Sequence, residues 1–196
     1  AEKTHPRGRE AAADETWRGR WSRLAAGADT LSDGAYFIGL RRGLGWFGDG
    51  HTTPLPFEFT GGVPDALKGG AFGLSLPVRI ALFHDGAFVT AAGPADRALR
   101  GARSSHVGSV RSEDLIRAIP QDWPENQPWA HRWSGFSMTS PAHLQGLGAV
   151  TDPRRPVRLT IAGPGSRQAE LSPLARSPDL IETTRPTTAV PSGASP

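Results

Sequence analysis

LPVRIALFHDGAFVTAAG, residues 76–93, decides the class of fold. Two β-prone runs, 76–86 and 87–93, meet at His84, Asp85 and Gly86, and an Asp-Gly step between such flanks is a strong short-range signal for a β-hairpin. The chain on either side adds more strands than helices. Downstream, residues 94–110 read as a short helical turn and then a strand ending at Val110, and VRLTIAG (157–163) reads as a further strand that turns at Pro164 and Gly165. A last strand covers 168–171. Between them SEDLIRAIP (112–120) has Ser112 in the capping position ahead of Glu113 and Asp114 in the first turn of a two-turn helix stopped by Pro120, and PAHLQGLG (141–148) is a second short helix opened by Ser140 and Pro141.

Upstream the period changes. Trp17, Trp21, Leu24 and Ala28, then Tyr36, Phe37, Leu40 and Leu44, recur every three or four residues, as apolar positions on amphipathic helices do. Gly27 and the cluster Ser32, Asp33, Gly34 interrupt them, so the pattern predicts helices over 15–26 and 34–45, closed by Gly45. The expected organisation is a disordered lead (1–14), a helical region with a Gly-Asp-Gly-His-Thr loop (15–60), a Gly-rich connection (61–73), a β-rich module (74–176) with a Trp/Pro-rich insertion (121–150), and a Thr/Pro/Ser linker or cleaved tail (177–196). The fold class is α+β.

Composition narrows the function. The 196 residues include 24 Gly and 18 Pro, which argues against long-helix bundles and coiled coils. There is no cysteine, so disulfides, thiol nucleophiles and cysteine-based zinc or iron–sulfur sites are out. No apolar run approaches the length of a membrane-spanning helix, and residues 1–17 lack the apolar stretch of a signal peptide. Twenty of the 22 basic residues are arginine, scattered in ones and twos for a net charge of +3, which does not make the gathered stripe that nucleic acid requires.

His51 is the most informative side chain. It follows Gly48, Asp49 and Gly50 on a sharp turn beside a carboxylate, an arrangement suited to general acid–base work by an imidazole titrating near neutrality; a plain turn-capping histidine is the alternative. His84 sits in the hairpin turn beside Asp85 and reads as solvated, and His5 falls in the lead. His106, His131 and His143 show no metal-ligand spacing, so neither a metal nor a cofactor is expected. No serine lies in a GxSxG elbow; Ser75, Ser104, Ser105, Ser109 and Ser134 have ordinary structural readings, and an Asp49/Glu58 carboxylate pair is poorly supported. Trp123, Trp129 and Trp133 read either as a lid over the core or as the lining of a peptide or sugar groove.

Three stretches, WFGDGHTTPLPF (46–57), LPVRIALFHDGAFVTAAGP (76–94) and LRGARSSHVGSVRSEDLIRAIP (99–120), resemble the front half of the tail-specific or carboxyl-terminal processing proteases, the S41 serine peptidases. The resemblance covers roughly 15–175 and maps the family's Asp-Gly-His-Thr signature onto Asp49, Gly50, His51 and Thr52. It implies that 74–176 is a PDZ-like module, with Leu99, Gly101 and Ala102 in its characteristic turn. It also implies that His51 is the general base for a serine which, with its acidic partner, lies downstream of Pro196 in a further domain or a second chain. Substrates would be polypeptides and the setting periplasmic or extracellular. The chain departs from the family at Val107, Gly108 and Ser109, where many relatives have Ile-Gly-Gly, and in the length of 121–150. A non-catalytic PDZ-like peptide-binding module is the competing expectation.

Overall fold

The computed structural model describes residues 5–49, 52, 70–122, 134–163 and 166–175. Three helices lead: α1 (Gly8–Ala13), α2 (Glu15–Ala26) and α3 (Asp33–Leu44). Their limits follow from capping. The Asp14 carboxylate accepts from the Trp17 amide at 2.8 Å and Ser32 Oγ accepts from the Ala35 amide at 3.2 Å, so each satisfies one of the donors a helix start leaves open; Gly27 and Gly45 follow the last turns. Helix α1 corrects the expectation of a disordered lead through residue 14. Its local composition is polar, but contacts to residues about forty positions away hold it, as shown below.

The remainder is β-rich, giving an α+β fold with N-terminal helices ahead of a sheet. Strands β2 (Val78–Phe83), β3 (Gly86–Ala92), β4 (Arg103–Val107), β6 (Val157–Ile161) and β7 (Gln168–Leu171) lie in that spatial order, each antiparallel to its neighbours, and β5 (Val110–Arg111) pairs with β4. The predicted hairpin is β2–β3, with Phe83 opposite Gly86 and His84 and Asp85 forming the turn. Gly86 closes that turn at a φ of +142°, a conformation L side chains rarely adopt. Strands β1 (Leu74–Ser75) and β8 (Leu174–Ala175) form a separate antiparallel pair, which brings the two ends of the β-rich region together.

Helices α4 (Ser112–Ala118) and α5 (Pro141–Gly146) contribute to the core. Val78, Ile80, Val89, Val107, Val157, Leu159 and Leu171 from the strands bury against Leu115, Ile119, Met138 and Leu144. Alternation along β2 and β6 puts these side chains on one face, as the period of a strand requires. Two details differ from the sequence reading. The chain continues past Ala118 as a 3-10 turn through Pro120, Ile119–Asp122. Ser112 does not cap α4; its hydroxyl is buried and hydrogen-bonds Ser104 Oγ at 2.8 Å, linking the helix start to β4. Residues 1–4, 50, 51, 53–69, 123–133, 164, 165 and 176–196, which include 61–69 of the expected Gly-rich connection, 123–133 of the Trp/Pro-rich insertion and the tail, lie outside the described residues; the connection ends in a 3-10 turn, Ala71–Gly73.

Candidate functional site

The loop that carries the Asp-Gly-His-Thr stretch leaves α3 through a 3-10 turn, Gly45–Phe47, and reverses at Gly48, whose φ of +64° suits glycine. Asp49 and Thr52 are tied to each other: the Thr52 hydroxyl donates to Asp49 Oδ2 at 2.8 Å and the Thr52 amide donates to the Asp49 carbonyl at 3.0 Å. Gly50 and His51, the residues between, lie outside the described residues, as do Glu58, His131, Trp123, Trp129 and Trp133.

What holds this loop is the N-terminal segment. The Trp17 indole donates to the Gly43 carbonyl at 3.1 Å, and the Trp46 indole donates to Asp14 Oδ2 at 3.1 Å. Arg7 donates to the Phe47 carbonyl at 3.2 Å while its guanidinium lies 4.6 Å over the Trp46 ring, a cation–π contact. The His5 ring packs on Phe47 with centroids 4.1 Å apart, and its Nε2 stands 3.7 Å from Asp49 Oδ2. The Arg7 amide donates to His5 Nδ1 at 3.1 Å, so in the neutral ring the proton sits on Nε2 and faces the Asp49 carboxylate. His5 is therefore part of the loop's support, and no local sequence signal marked it.

Asp14 has a second consequence for this cluster. The Trp17 amide, then the Trp46 indole, hydrogen-bond its carboxylate and hold its pKa below the ordinary value. One side chain thus caps α2 and pins the turn that leads to Asp49.

The other histidines have different surroundings. His84 is 96% exposed with Asp85 3.9 Å away, as expected of a solvated turn residue. His106 Nδ1 lies 3.2 Å from Ser105 Oγ, but that hydroxyl donates to the Thr160 carbonyl, so it accepts from the ring and offers it no proton to remove. His143 on α5 is 2% exposed and its Nε2 is 3.1 Å from an amino nitrogen of Arg41 on α3, itself wholly buried. Phe37 lies against both, 5.2 Å from the His143 ring and 5.8 Å from the guanidinium. Since Arg41 can only donate, His143 Nε2 accepts, and the neutral imidazole carries its proton on Nδ1. No spacing rule could pair residues 102 positions apart in the chain.

Among the described residues no three His, Asp or Glu side chains gather as metal ligands, and no helix is long and apolar enough to cross a membrane. A groove of about 580 Å³ opens beside the hairpin, lined by Phe83, Phe88 and Thr90 on the strands and by Arg100 and Gly101. Phe83 is 54% exposed on it.

Fold and site together define an α+β protein in which N-terminal helices support a hydrogen-bonded Asp49–Thr52 pair ahead of an antiparallel sheet. No protein-family model, no curated protein and no solved structure matches the chain.

Proposed function

We propose that this chain is the N-terminal portion of a serine endopeptidase similar to the tail-specific proteases, in which His51 acts as the general base. The observation that carries the reading is the pair of hydrogen bonds from Thr52 to Asp49 and the support that His5, Arg7, Trp17 and Trp46 give to the residues leading to Asp49. Such a loop limits the conformational freedom of whatever it displays, and a base must be held within hydrogen-bond reach of the proton it takes.

In this reading His51 removes the proton of a serine hydroxyl supplied by a downstream polypeptide as that oxygen attacks the scissile carbonyl, then returns the proton to the leaving amine. Backbone donors near that serine stabilise the tetrahedral oxyanion. Asp49, already accepting from Thr52 and facing His5, serves as a positioning residue for the turn. The β-rich region that follows corresponds to the PDZ-like module, which recognises polypeptides through a free carboxylate or by strand addition.

A second reading, a non-catalytic PDZ-like peptide-binding module, draws support from the groove beside β2 and β3, whose lining includes exposed Phe83, Asp85 and Arg100. Native and denaturing mass determination on protein purified from its original source separates the two. A co-purifying second polypeptide, or a longer chain, whose serine reacts with a fluorophosphonate supports the peptidase. A lone 20.8 kDa species that binds peptides without hydrolysing them supports the module.

A further inference from the structure

One cavity is remote from the sheet. It is a groove of about 860 Å³ between α2 and α3, with Leu24, Ile38 and Trp46 in its walls and Arg20, Arg23 and Arg42 along it. No Asp or Glu lines it among the described residues. Arg20 donates to the Arg42 carbonyl at 3.2 Å, which keeps its charge at the junction of the two helices, within electrostatic reach of Asp14. Leu31, 39% exposed, lies at the same groove.

We propose that this groove docks an acidic polypeptide segment, with an apolar side chain seated between α2 and α3 and carboxylates placed against Arg20 and Arg23. Three features select that occupant. The guanidiniums are complementary to carboxylates, which they bind as planar forks. The volume lies in the range of sites that enclose several side chains, far more than a single anion fills. The apolar surface is concave, whereas a lipid surface is engaged by projecting apolar side chains, and one indole is too few for the successive stacking that single-stranded nucleic acid uses. The surface is independent of His51 and stands whether or not the peptidase reading holds.

The test is fluorescence anisotropy of a fluorescein-labelled octapeptide of Glu and Leu titrated with the full chain, beside the same peptide with Lys for Glu. Two variants are compared: Arg20→Glu with Arg23→Glu, both on the exposed face of α2, and Ala35→Trp, which fills the groove without changing charge. Far-UV circular dichroism establishes that each variant is folded, and the outcome is read on those that are. The Glu peptide is expected to bind saturably, the Lys peptide not to bind, and each variant to weaken the Glu peptide about tenfold or more, with affinity falling as salt rises. Absence of saturable binding up to about 1 mM, or binding unchanged in the charge-reversed variant, overturns the proposal. So does loss in the charge-reversed variant alone, which marks non-specific surface attraction, displacement of the peptide by equimolar inorganic phosphate, which marks a simple ion site, or a preference for phosphatidylglycerol vesicles over the peptide, which marks a lipid surface.

Discussion

Gly34 on α3 and Gly146 at the end of α5 back directly onto one another. A Cβ at Gly34 would stand 2.1 Å from the Ala142 carbonyl oxygen, and one at Gly146 would stand 2.4 Å from the carbonyl oxygen of Gly34. The helical region docks on the β-rich region through this crossing, and it fixes where the far end of α3 delivers the loop leading to Asp49.

Gly34→Ala is therefore expected to destabilise the protein by about 2 kcal/mol or more, because backbone atoms must part to admit a methyl group. Urea unfolding measures this. Gly45→Ala, where no atom lies within 4 Å of an added Cβ, is the matched control and should leave the midpoint within about 0.5 kcal/mol of the parent.

Arg41 and His143 lie a few residues along the same two helices, and both are buried. Replacing Arg41 by Ala removes a buried guanidinium together with its packing on Phe37 and is expected to cost about 3 kcal/mol or more. Arg41→Lys should recover little of this, since an ammonium lacks the planar fork that reaches His143 Nε2 while lying against a ring. Thermal denaturation of the two variants checks the order.

Acid stability carries a signature at Asp114. Hydrogen bonds from Arg111, then Arg117, lower its pKa from 3.8 to about 2. A carboxylate whose folded pKa is depressed adds stability that is complete above its unfolded value and is lost as pH falls through the folded one, so the contribution should fade from about pH 4 to pH 2. Asp14, lowered by the Trp17 amide and the Trp46 indole, acts in the same direction. Desolvation raises the pKa of half-buried Asp96, which works in the opposite sense. Melting temperature against pH should show a shallower acid fall in Asp114→Asn than in the parent protein.

Asp14→Ala removes the α2 cap and the acceptor for Trp46 at once. A drop in Tm of about 4 °C is expected, with Asp14→Asn losing less because an amide oxygen still caps. If Asp14→Ala melts with the parent, the link between the cap and the Trp46 turn has no energetic weight.

How much of this could be read from the chain alone depended on whether the cause was local. The β2–β3 hairpin and the limits of α2 and α3 were legible because Asp85, Gly86, Ser32, Gly27 and Gly45 act within a turn or two of where they stand, although the Asp14 cap was not read. Helix α1 was not, because Arg7 and His5 are held by Phe47 and Asp49, and a polar lead with distant anchors looks like any polar lead. The Arg41–His143 pair was hidden for the same reason, and Ser112 looked like a cap because nothing near it in sequence announces Ser104. His51 was picked out by its Gly-Asp-Gly setting; the support beneath its turn became visible only once α1 and α2 were in place.

The proposed role of His51 as base for a serine supplied downstream is tested most directly by steady-state hydrolysis of a peptide substrate by the full native assembly, with His51 intact or replaced by Ala. The expected result is a fall in kcat of about 10⁴-fold or more at unchanged melting temperature, with the background rate set by the remaining site. Hydrolysis that proceeds undiminished in the Ala variant, or a variant that loses activity only because it no longer folds, would contradict the assignment of His51 as the base.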